Sequence, residues 1–470
     1  MKFYKNLHTF LQSRKTFLLL CSLYTILGII FFFLFIDSKS GDQDTYMSYA
    51  KGIHQGRYTY WYMLKDYIPD TFRNPGYAFF IYLLSFISED IRLIYFVQLI
   101  FFIAAILLIF KISDIYSNPK NYIIKNIFLL LMLINSHFLL YIDFIFPEVL
   151  MFFFIALLVY LDLVLPKQKT STYLILGLLY GIIFQIRPVI LFFPFIKFVI
   201  DIFFQKSSFS FAKNILLIVV FISTMLPYGY WNYKTHGIFK VTSLEGGGGV
   251  MYLSYWGFKM PNYLETRYWR NSVEENLISF TPKEDIPNNI EAFNKEWDFI
   301  DSSCAQYLTE KDKRNLPFMK THPELFFTYN GKFTHEREKL LKKLAIQHFI
   351  DDPVFTLKFK TYTLFRLWVT GIKRKIFDSH NPFEIIKGIA PAIVTGFTLL
   401  LALFFIPLAM YRRKFNYPFL LPIIFLIGYY GFIHLPFVIQ ARYTIPVRPL
   451  LMMVTAICIF EIYFKNEKQN

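Results

Sequence analysis

Long apolar runs separated by short basic turns dominate the chain. The first run covers residues 17–36. Further runs lie at about 91–112, 123–141, 149–165, 173–186, 189–204, 214–231, 385–411, 419–433 and 450–464. Several of them approach or exceed the roughly 18–20 residues that a helix needs to cross the hydrocarbon core of a bilayer. The pattern predicts an all-α polytopic membrane protein with about ten transmembrane helices.

Basic residues mark alternate ends of these runs and predict the orientation of the chain. Lys111, Lys120, Lys167 and the pair Arg412–Arg413 all lie at turns that the same topology places in the cytoplasm. Both termini are then cytoplasmic. The basic N-terminus lacks a clear cleavage site after its apolar run, so we expect a retained first helix. The absence of an organelle signal suggests a bacterial inner (plasma) membrane.

Polar segments divide the chain into three predicted parts. Residues 1–231 form a transmembrane module whose first outer loop spans 37–90. Residues 232–384 form an extracytoplasmic domain of mixed fold, and residues 385–470 supply the last transmembrane helices. Three shorter segments predict helices outside the spans. The apolar 76–87 would lie in the membrane interface or re-enter the bilayer, and the basic, aromatic 354–368 would lie on the membrane surface. The third, 336–349, has apolar residues close to a helical period.

Composition narrows the class of protein further. The chain is 55% hydrophobic, and its formal net charge is +16. Because Lys and Arg gather at the ends of apolar runs, the charge favours anionic lipid headgroups as partners rather than nucleic acid. Two of the three cysteines lie in predicted spans, which argues against a disulfide framework. The nine histidines show no metal-ligand spacing, so we predict no metal site.

The unusual polar residues near span ends all fall on the predicted outer side. They are Asp42, Asp44, Arg57, Arg73, Asp143, Glu148, Arg187, Gln440 and Arg442. Charged groups next to a membrane span are costly unless they lie at the interface or serve a site. A membrane-surface active site needs acids and arginines that converge from loops distant in sequence, as these would.

Each candidate also has a structural interpretation. Asp42 fits a general base or a helix N-cap, and Asp44 is its rival as the base. Glu148 fits a site acid or a partner of the helix dipole. Arg187 and Arg442 need anionic partners, which are either protein carboxylates or lipid phosphates.

The glycine run at 246–249 is either a flexible turn or a place of close backbone approach to a ligand. Because no Lys-Ser/Thr follows it, it does not predict a Walker-type nucleotide site.

Six short motifs together resemble the GT-C superfamily of integral-membrane glycosyltransferases, in particular the protein O-mannosyltransferase and aminoarabinose-transferase-like families. The motifs are Asp42-Gln-Asp-Thr-Tyr46 with Ala50, Arg73-Asn-Pro-Gly-Tyr77, Pro147–Glu148, Ile186-Arg-Pro188, residues 227–242 with the glycine run 246–249, and Arg442-Tyr-Thr-Ile-Pro446 with Pro449. The fifth departs from the family pattern, since it reads Trp231-Asn-Tyr and lacks the family's arginine.

The resemblance implies an inverting transfer of a sugar from a polyprenyl-phosphate donor to an acceptor hydroxyl. Asp42 matches the family's catalytic acid, with Asp44 and Glu148 as alternatives. The implied phosphate ligands are Arg187, Arg442 and Arg73, and the implied donor or acceptor pocket is lined by Tyr46, Asp143, Tyr77 and Tyr443. No cofactor beyond the lipid-linked donor is implied, although some relatives use a divalent ion. The acceptor is a lipid, a protein or a glycan, and neither it nor the sugar is identified.

Three other functions remain open. A transporter or flippase of lipid-linked glycan would need ionisable residues deep inside spans, and Lys197, Asp201 and Glu461 are the candidates. They lie towards cytoplasmic span ends, where their side chains can snorkel to the surface. A membrane scaffold would leave the outward acids and arginines unexplained. An O-antigen ligase or polymerase would also use lipid-linked sugar.

Overall fold

All regular secondary structure in the described part of the chain is helical. A computed structural model describes residues 2–35, 42–204, 209–245, 247–260, 280–314, 330–369 and 381–465. These residues form helices and connecting segments, and no strand occurs among them. The all-α prediction is therefore confirmed for the described residues.

Most predicted segments correspond to helices with closely similar bounds. In the first half of the chain the α-helices are Lys2–Gln12, Arg14–Phe35, Gln43–His54, Pro75–Ser85, Ile91–Tyr116, Ile123–Ile134, Glu148–Val164, Thr170–Ile186, Phe193–Phe204 and Phe211–His236. In the second half they are Gly248–Lys259, Ile286–Cys304, Gly331–Asp351, Pro353–Trp368, Pro382–Tyr411, Tyr417–Ile433 and Arg448–Tyr463.

Several of these helices are compatible with a multi-pass membrane protein. Four are long and apolar enough to cross a bilayer, namely Arg14–Leu34, Ile91–Tyr116, Phe211–His236 and Gly388–Tyr411. A bent pair makes a fifth candidate. Other predicted spans are shorter helices, such as the 17-residue Glu148–Val164 and the 12-residue Phe193–Phe204. The count of ten spans stays a prediction.

The first long helix, Arg14–Phe35, exposes many apolar side chains. Phe33 and Leu34 are 72% and 69% exposed, and Leu18, Leu19 and Ile26 are each more than half exposed. Apolar patches of this extent are rare on soluble monomers. The helix therefore presents a surface suited to hydrocarbon.

The predicted span 123–141 is broken rather than continuous. Ile123–Ile134 ends at Asn135, and the 3₁₀ helix Ser136–Ile142 leaves it at an angle of 73°. The Asn135 side chain donates to the carbonyl of Leu131 and to Thr398 Oγ1. An asparagine amide that bonds the preceding turn competes with continuation of the helix. Hydrophobicity alone did not reveal the break because both arms are apolar.

The region after Phe211–His236 has a helical core of its own. Tyr252, Phe293, Trp297, Leu341 and Phe359 are all buried there. The mixed fold expected for 232–384 is not seen in its described part, which contains helices without strands. Residues 246, 261–279, 315–329 and 370–380 of this region lie outside the described residues.

The described part of the glycine run contacts the protein itself. The backbone N–H groups of Gly248 and Gly249 donate to the Glu338 carboxylate, with a shortest distance of 2.6 Å. A Cβ on Gly248 would lie 2.1 Å from the carbonyl oxygen of Glu338. Gly248 is thus required for close approach of the Gly331–Asp351 helix, and this glycine pair begins a helix rather than forming a flexible turn.

Candidate functional site

Five charged side chains from distant parts of the chain meet at one end of the helical bundle. We call them the ion cluster: Asp42, Arg73, Glu148, Arg187 and Arg442. Three arginines and two carboxylates give the cluster a formal charge of 3 − 2 = +1. All five were predicted from sequence to face outward, and the structure brings them together.

Local structure fixes each member of the cluster. Asp42 is at the start of Gln43–His54, and Arg73 precedes Pro75–Ser85. Glu148 is the first residue of Glu148–Val164, and Arg187 follows the last residue of Thr170–Ile186. These two helices run antiparallel through a short turn, so the start of one and the end of the other share a side. Arg442 is in the 3₁₀ turn Ala441–Thr444.

Both carboxylate oxygens of Asp42 are bound by arginines. Arg73 Nη2 lies 3.1 Å from Oδ1, and Arg442 Nη2 lies 2.7 Å from Oδ2. Although Asp42 occupies the N-cap position, its side chain makes no capping hydrogen bond. Burial alone would raise the pKa of Asp42, but Arg73 and Arg442 outweigh it and lower the pKa to about 2. The carboxylate is therefore held in its charged form.

Glu148 forms the second acidic centre. Its side chain is 1% exposed, and its Oε1 lies 3.1 Å from Arg187 Nη1 and 3.8 Å from Arg442 Nε. Arg442 therefore joins the two carboxylates, and it also donates from Nε to Gln440 Oε1. Burial alone lowers the pKa of Arg442, but Glu148 and Asp42 more than compensate and raise it.

Aromatic rings pack against the guanidinium groups. Arg442 lies 3.8 Å from the ring centroid of Phe146, and Arg187 lies 4.1 Å from that of Tyr443. Arg73 lies 5.3 Å from the centroid of Tyr46. Such cation–π contacts stabilise arginines and restrict their orientation. Phe146 was not among the residues predicted from sequence.

Tyr77 lies next to Tyr46, the ring that contacts Arg73. Its ring packs edge-on against Tyr46 at 4.7 Å between centroids, and its hydroxyl donates to Gln98 Oε1. The three tyrosines predicted for a pocket, Tyr46, Tyr77 and Tyr443, thus all lie at or beneath the ion cluster.

Several buried polar atoms of the cluster have no hydrogen-bond partner. They are Arg442 Nη1, Arg73 Nε and Glu148 Oε2. Buried polar groups are normally satisfied, and an unpaired donor on a charged group is especially costly. Unused guanidinium donors and a surplus positive charge make the cluster suited to bind an anion.

Two predicted acids lie apart from the cluster. Asp44 is exposed in the first turn of Gln43–His54, and no described contact joins it to the arginines. Asp143 is fully buried, and neither carboxylate oxygen has a hydrogen-bond partner. Burial raises the pKa of Asp143 to about 7.

Sequence reasoning missed Asp70, which lies directly beside the cluster. Its carboxylate accepts hydrogen bonds from the backbone N–H groups of Phe72 and Arg73. The local sequence Pro69-Asp70-Thr71 carries a signal for this geometry, because an aspartate after proline often starts an Asx turn. The signal was available but indicates only a turn.

Among the described residues, no group of three or more His, Cys, Asp or Glu side chains converges as metal ligands. The absence of a metal site from the protein stays a prediction.

Comparisons with protein-family models, curated proteins and solved structures find no match for this chain. The chemistry of the site therefore rests on its own geometry.

Proposed function

We propose that this protein is a GT-C-type membrane glycosyltransferase. It transfers a sugar from a polyprenyl-phosphate donor to an acceptor hydroxyl on the extracytoplasmic face of a bacterial inner membrane. In this proposal the chain crosses the bilayer about ten times, both termini are cytoplasmic, and the ion cluster faces outward. The lipid tail of the donor lies among the apolar helices.

One observation carries the proposal: the Asp42 carboxylate lies among arginines that exceed the carboxylates in number and keep unpaired hydrogen-bond donors. The cluster has a formal charge of +1, and Arg442 Nη1 and Arg73 Nε are buried without partners. Arginine binds phosphate oxygens through charge-assisted, often bidentate hydrogen bonds. A phosphate monoester or diester would neutralise the surplus and satisfy these donors.

The reaction follows from this charge arrangement. The acceptor oxygen attacks the anomeric carbon of the sugar as the bond from that carbon to the phosphate oxygen breaks. The phosphate leaves with the bonding electron pair, and arginines stabilise the charge that develops on it. Asp42 takes the proton of the acceptor hydroxyl. A single displacement inverts the anomeric configuration and needs no covalent sugar–enzyme intermediate.

Asp42 needs to lose arginine contacts before it can act as a base. With its pKa lowered to about 2, it is a weak proton acceptor. A phosphate that binds Arg73 and Arg442 competes directly with the carboxylate for their donors. Donor binding would thereby raise the pKa of Asp42 at the moment when a base is required.

Transfer of radiolabel tests the proposal. Purified protein in lipid is given radiolabelled undecaprenyl-phosphate hexoses or pentoses, with membrane extract as the source of acceptor. We expect transfer by the wild type and a loss of about 100-fold or more for Asp42→Asn, because general-base catalysis typically contributes 10²–10⁴-fold. Asp44→Asn is the matched control, since Asp44 is an exposed aspartate in the same turn.

A different pattern among the variants would change the assignment. Normal transfer by Asp42→Asn would remove Asp42 as the base and direct attention to Glu148. Equal losses for Asp42→Asn and Asp44→Asn would show that the assay does not resolve the site.

A second candidate function, transport of a lipid-linked glycan, is favoured by a buried ion group near the opposite end of the helices. Lys197 bridges Asp162 and Asp201 at 3.1 and 3.0 Å, and these three side chains are largely buried. The sequence suggested that Lys197 and Asp201 snorkel to the surface. In the structure both side chains are instead buried. Paired ionisable groups inside helical bundles also occur in transport pathways.

The same assay separates the two functions. A transporter would move the labelled donor across the bilayer of proteoliposomes without consuming it, and Lys197→Ala would reduce that movement. A transferase would release the label to an acceptor and would tolerate the absence of any gradient.

A further inference from the structure

The five-residue turn 70–74 holds Arg73 through its backbone. Asp70 is 1% exposed and uses both carboxylate oxygens. Oδ2 accepts hydrogen bonds from the N–H groups of Phe72 and Arg73 at 3.0 and 2.9 Å. Oδ1 accepts a hydrogen bond from the Tyr49 hydroxyl at 2.5 Å. The turn is therefore built around this one carboxylate.

The carbonyl of Arg73 is fixed as firmly as its N–H. The hydroxyls of Tyr58 and Tyr228 both donate to it, at 2.9 and 3.0 Å. Side chains thus hold both backbone polar groups of Arg73, although most buried backbone groups are paired with other backbone groups.

The chain segment 228–245 forms hydrogen bonds with the other residues of the turn. His236 Nε2 lies 2.9 Å from the carbonyl oxygen of Asp70. The backbone N–H of Glu245 donates to the carbonyl of Thr71, and the Thr71 hydroxyl donates to Glu245 Oε1. Asn74 accepts from the N–H of Ser243. The turn is consequently joined to the start of the outer helical region.

Fixing the Arg73 backbone matters because arginine is long and flexible. Its guanidinium lies 3.1 Å from Asp42 and 4.3 Å from the ring centroid of Phe72, with Nε still unpartnered. Ordering a mobile backbone on binding costs conformational entropy, and a backbone that is already fixed removes that part of the cost. The turn therefore presents Arg73 ready for an anion.

On this geometry, we propose that Asp70 is a positioning residue that sets Arg73 for binding of the donor phosphate. The inference rests on the proposed function, and it adds to the site a residue that touches neither the phosphate nor the sugar. Asp70 acts through the Arg73 backbone.

Binding of undecaprenyl monophosphate tests the proposal. Radiolabelled lipid is titrated against purified protein in nanodiscs, and the dissociation constant is measured. Asp70→Ala is expected to weaken binding about tenfold, the size of effect that losing one charge-assisted contact produces. Asp70→Asn keeps an acceptor for the turn and is expected to lose only about threefold. Arg73→Ala sets the upper limit of the loss.

Two further variants sharpen the test. The double variant Asp70→Ala/Arg73→Ala should bind no worse than Arg73→Ala alone, because Asp70 acts only through Arg73. Asp90→Ala is the matched control and should leave binding unchanged. Asp90 is exposed and also accepts a hydrogen bond from the N–H two residues ahead, at the start of Ile91–Tyr116.

Wild-type affinity in Asp70→Ala, with weaker binding in Arg73→Ala, would overturn the proposal. A loss in the double variant beyond that of Arg73→Ala would do the same. If Asp70→Ala does not fold, Asp70→Asn decides the matter, and wild-type affinity in that variant counts against the proposal.

A thermal-unfolding cycle tests the positioning role without any ligand. The unfolding midpoints of Asp42→Asn, Asp70→Asn and the double variant are compared with that of the wild type. If Asp70 sets Arg73 against Asp42, the effect of Asp42→Asn is smaller in the Asp70→Asn background. Additive effects would overturn the proposal. A wild type that binds no undecaprenyl phosphate would contradict the proposed function, and this cycle would still decide the role of Asp70.

Discussion

At the scale of single residues, two buried aspartates have opposite electrostatic environments. Asp42 lies between two guanidinium groups, which lower its pKa to about 2. Burial raises the pKa of Asp70 to about 6, although hydrogen bonds from Arg73, Tyr49 and Phe72 favour its charged form. The difference arises because the nearest donors of Asp70 are neutral, whereas those of Asp42 are charged.

The opposite pKa shifts predict that the two aspartates change the stability of the protein in opposite directions as the pH rises. The folded-state pKa of Asp42 is below its ordinary value of 3.8, so its contribution is present above pH 4 and is lost as the pH falls towards 2. The folded-state pKa of Asp70 is above 3.8, so its contribution is present below pH 4 and is lost as the pH rises through 6.

Unfolding midpoints of purified protein in nanodiscs at pH 4.5 and 7.5 check this prediction. Asp42→Asn should be destabilised by about 1–3 kcal/mol at both values, since it leaves buried donors poorly paired. Asp70→Asn should compare more favourably with the wild type at pH 7.5 than at pH 4.5. Each variant is compared with the wild type at the same pH, because His236 and Glu245 also contact the turn. Burial raises the pKa of Tyr49, Tyr58 and Tyr67 above the ordinary value of 10, so these neighbouring phenols stay neutral at both pH values. The same pH dependence in both variants would contradict the assignment.

The sequence identified residues of the ion cluster but not their partners. Asp42 and Arg442 are 400 positions apart, and only the fold determines that they touch. The motifs indicated which side chains to suspect because charges beside apolar runs are unusual. Asp70 was missed because its carboxylate serves the backbone, and a turn signal does not distinguish a functional turn from an ordinary one.

At the scale of elements, Gly76 explains how two helices approach at the site. A Cβ at Gly76 would lie 2.5 Å from the carbonyl of Gln185 and 2.6 Å from the N atom of Ile186. The start of Pro75–Ser85 therefore touches the end of Thr170–Ile186, next to Arg187. The glycine of the Arg73-Asn-Pro-Gly-Tyr77 motif thus keeps the segments of Arg73 and Arg187 close together.

Gly76→Ala should therefore disturb the site as well as the fold. Because the nearest atoms belong to backbone, the helices have to separate, and we expect a loss of about 1–3 kcal/mol in unfolding free energy. Binding of undecaprenyl phosphate should weaken in parallel. Gly396→Ala is the matched control, since a Cβ there meets open space and alanine favours the helix. Wild-type stability and binding in Gly76→Ala would show that the contact is not critical.

Helix positions were predictable where an apolar run coincided with a clear cap. Ile91–Tyr116 begins after Asp90, whose side chain accepts from the N–H of Arg92, and Pro353–Trp368 begins with proline after Asp352. The break at Asn135 was not predictable, because the apolar pattern continues through it. A helix cap depends on residues next to the helix end and can be predicted from the local sequence. The bend at Asn135 also depends on a contact with a distant residue, because the Asn135 side chain donates to Thr398 Oγ1.

At the scale of the whole molecule, two layers of buried ion pairs lie at opposite ends of Glu148–Val164. The ion cluster lies at one end of Glu148–Val164, where Glu148 starts the helix, and Asp162 lies near the other end with Lys167 and Lys197. The apolar surface of the helices lies between them. Basic turns of the second layer are those that predict the cytoplasmic side. The proposed reaction requires the first layer to face outward.

Accessibility to a membrane-impermeant maleimide tests this orientation. The three native cysteines, Cys21, Cys304 and Cys458, are first replaced by serine or alanine. Asp44→Cys then reports on the exposed turn beside the ion cluster, and Arg412→Cys reports on the basic turn after Pro382–Tyr411. In intact cells we expect labelling at position 44 alone, because positively charged turns remain in the cytoplasm. Permeabilised cells should label at both positions and provide the control for reactivity.

Labelling of intact cells at position 412 alone would place the arginines of the ion cluster in the cytoplasm. The donor phosphate would then be needed on the inner leaflet, and transfer on the extracytoplasmic face would be excluded even if Asp42 proved essential.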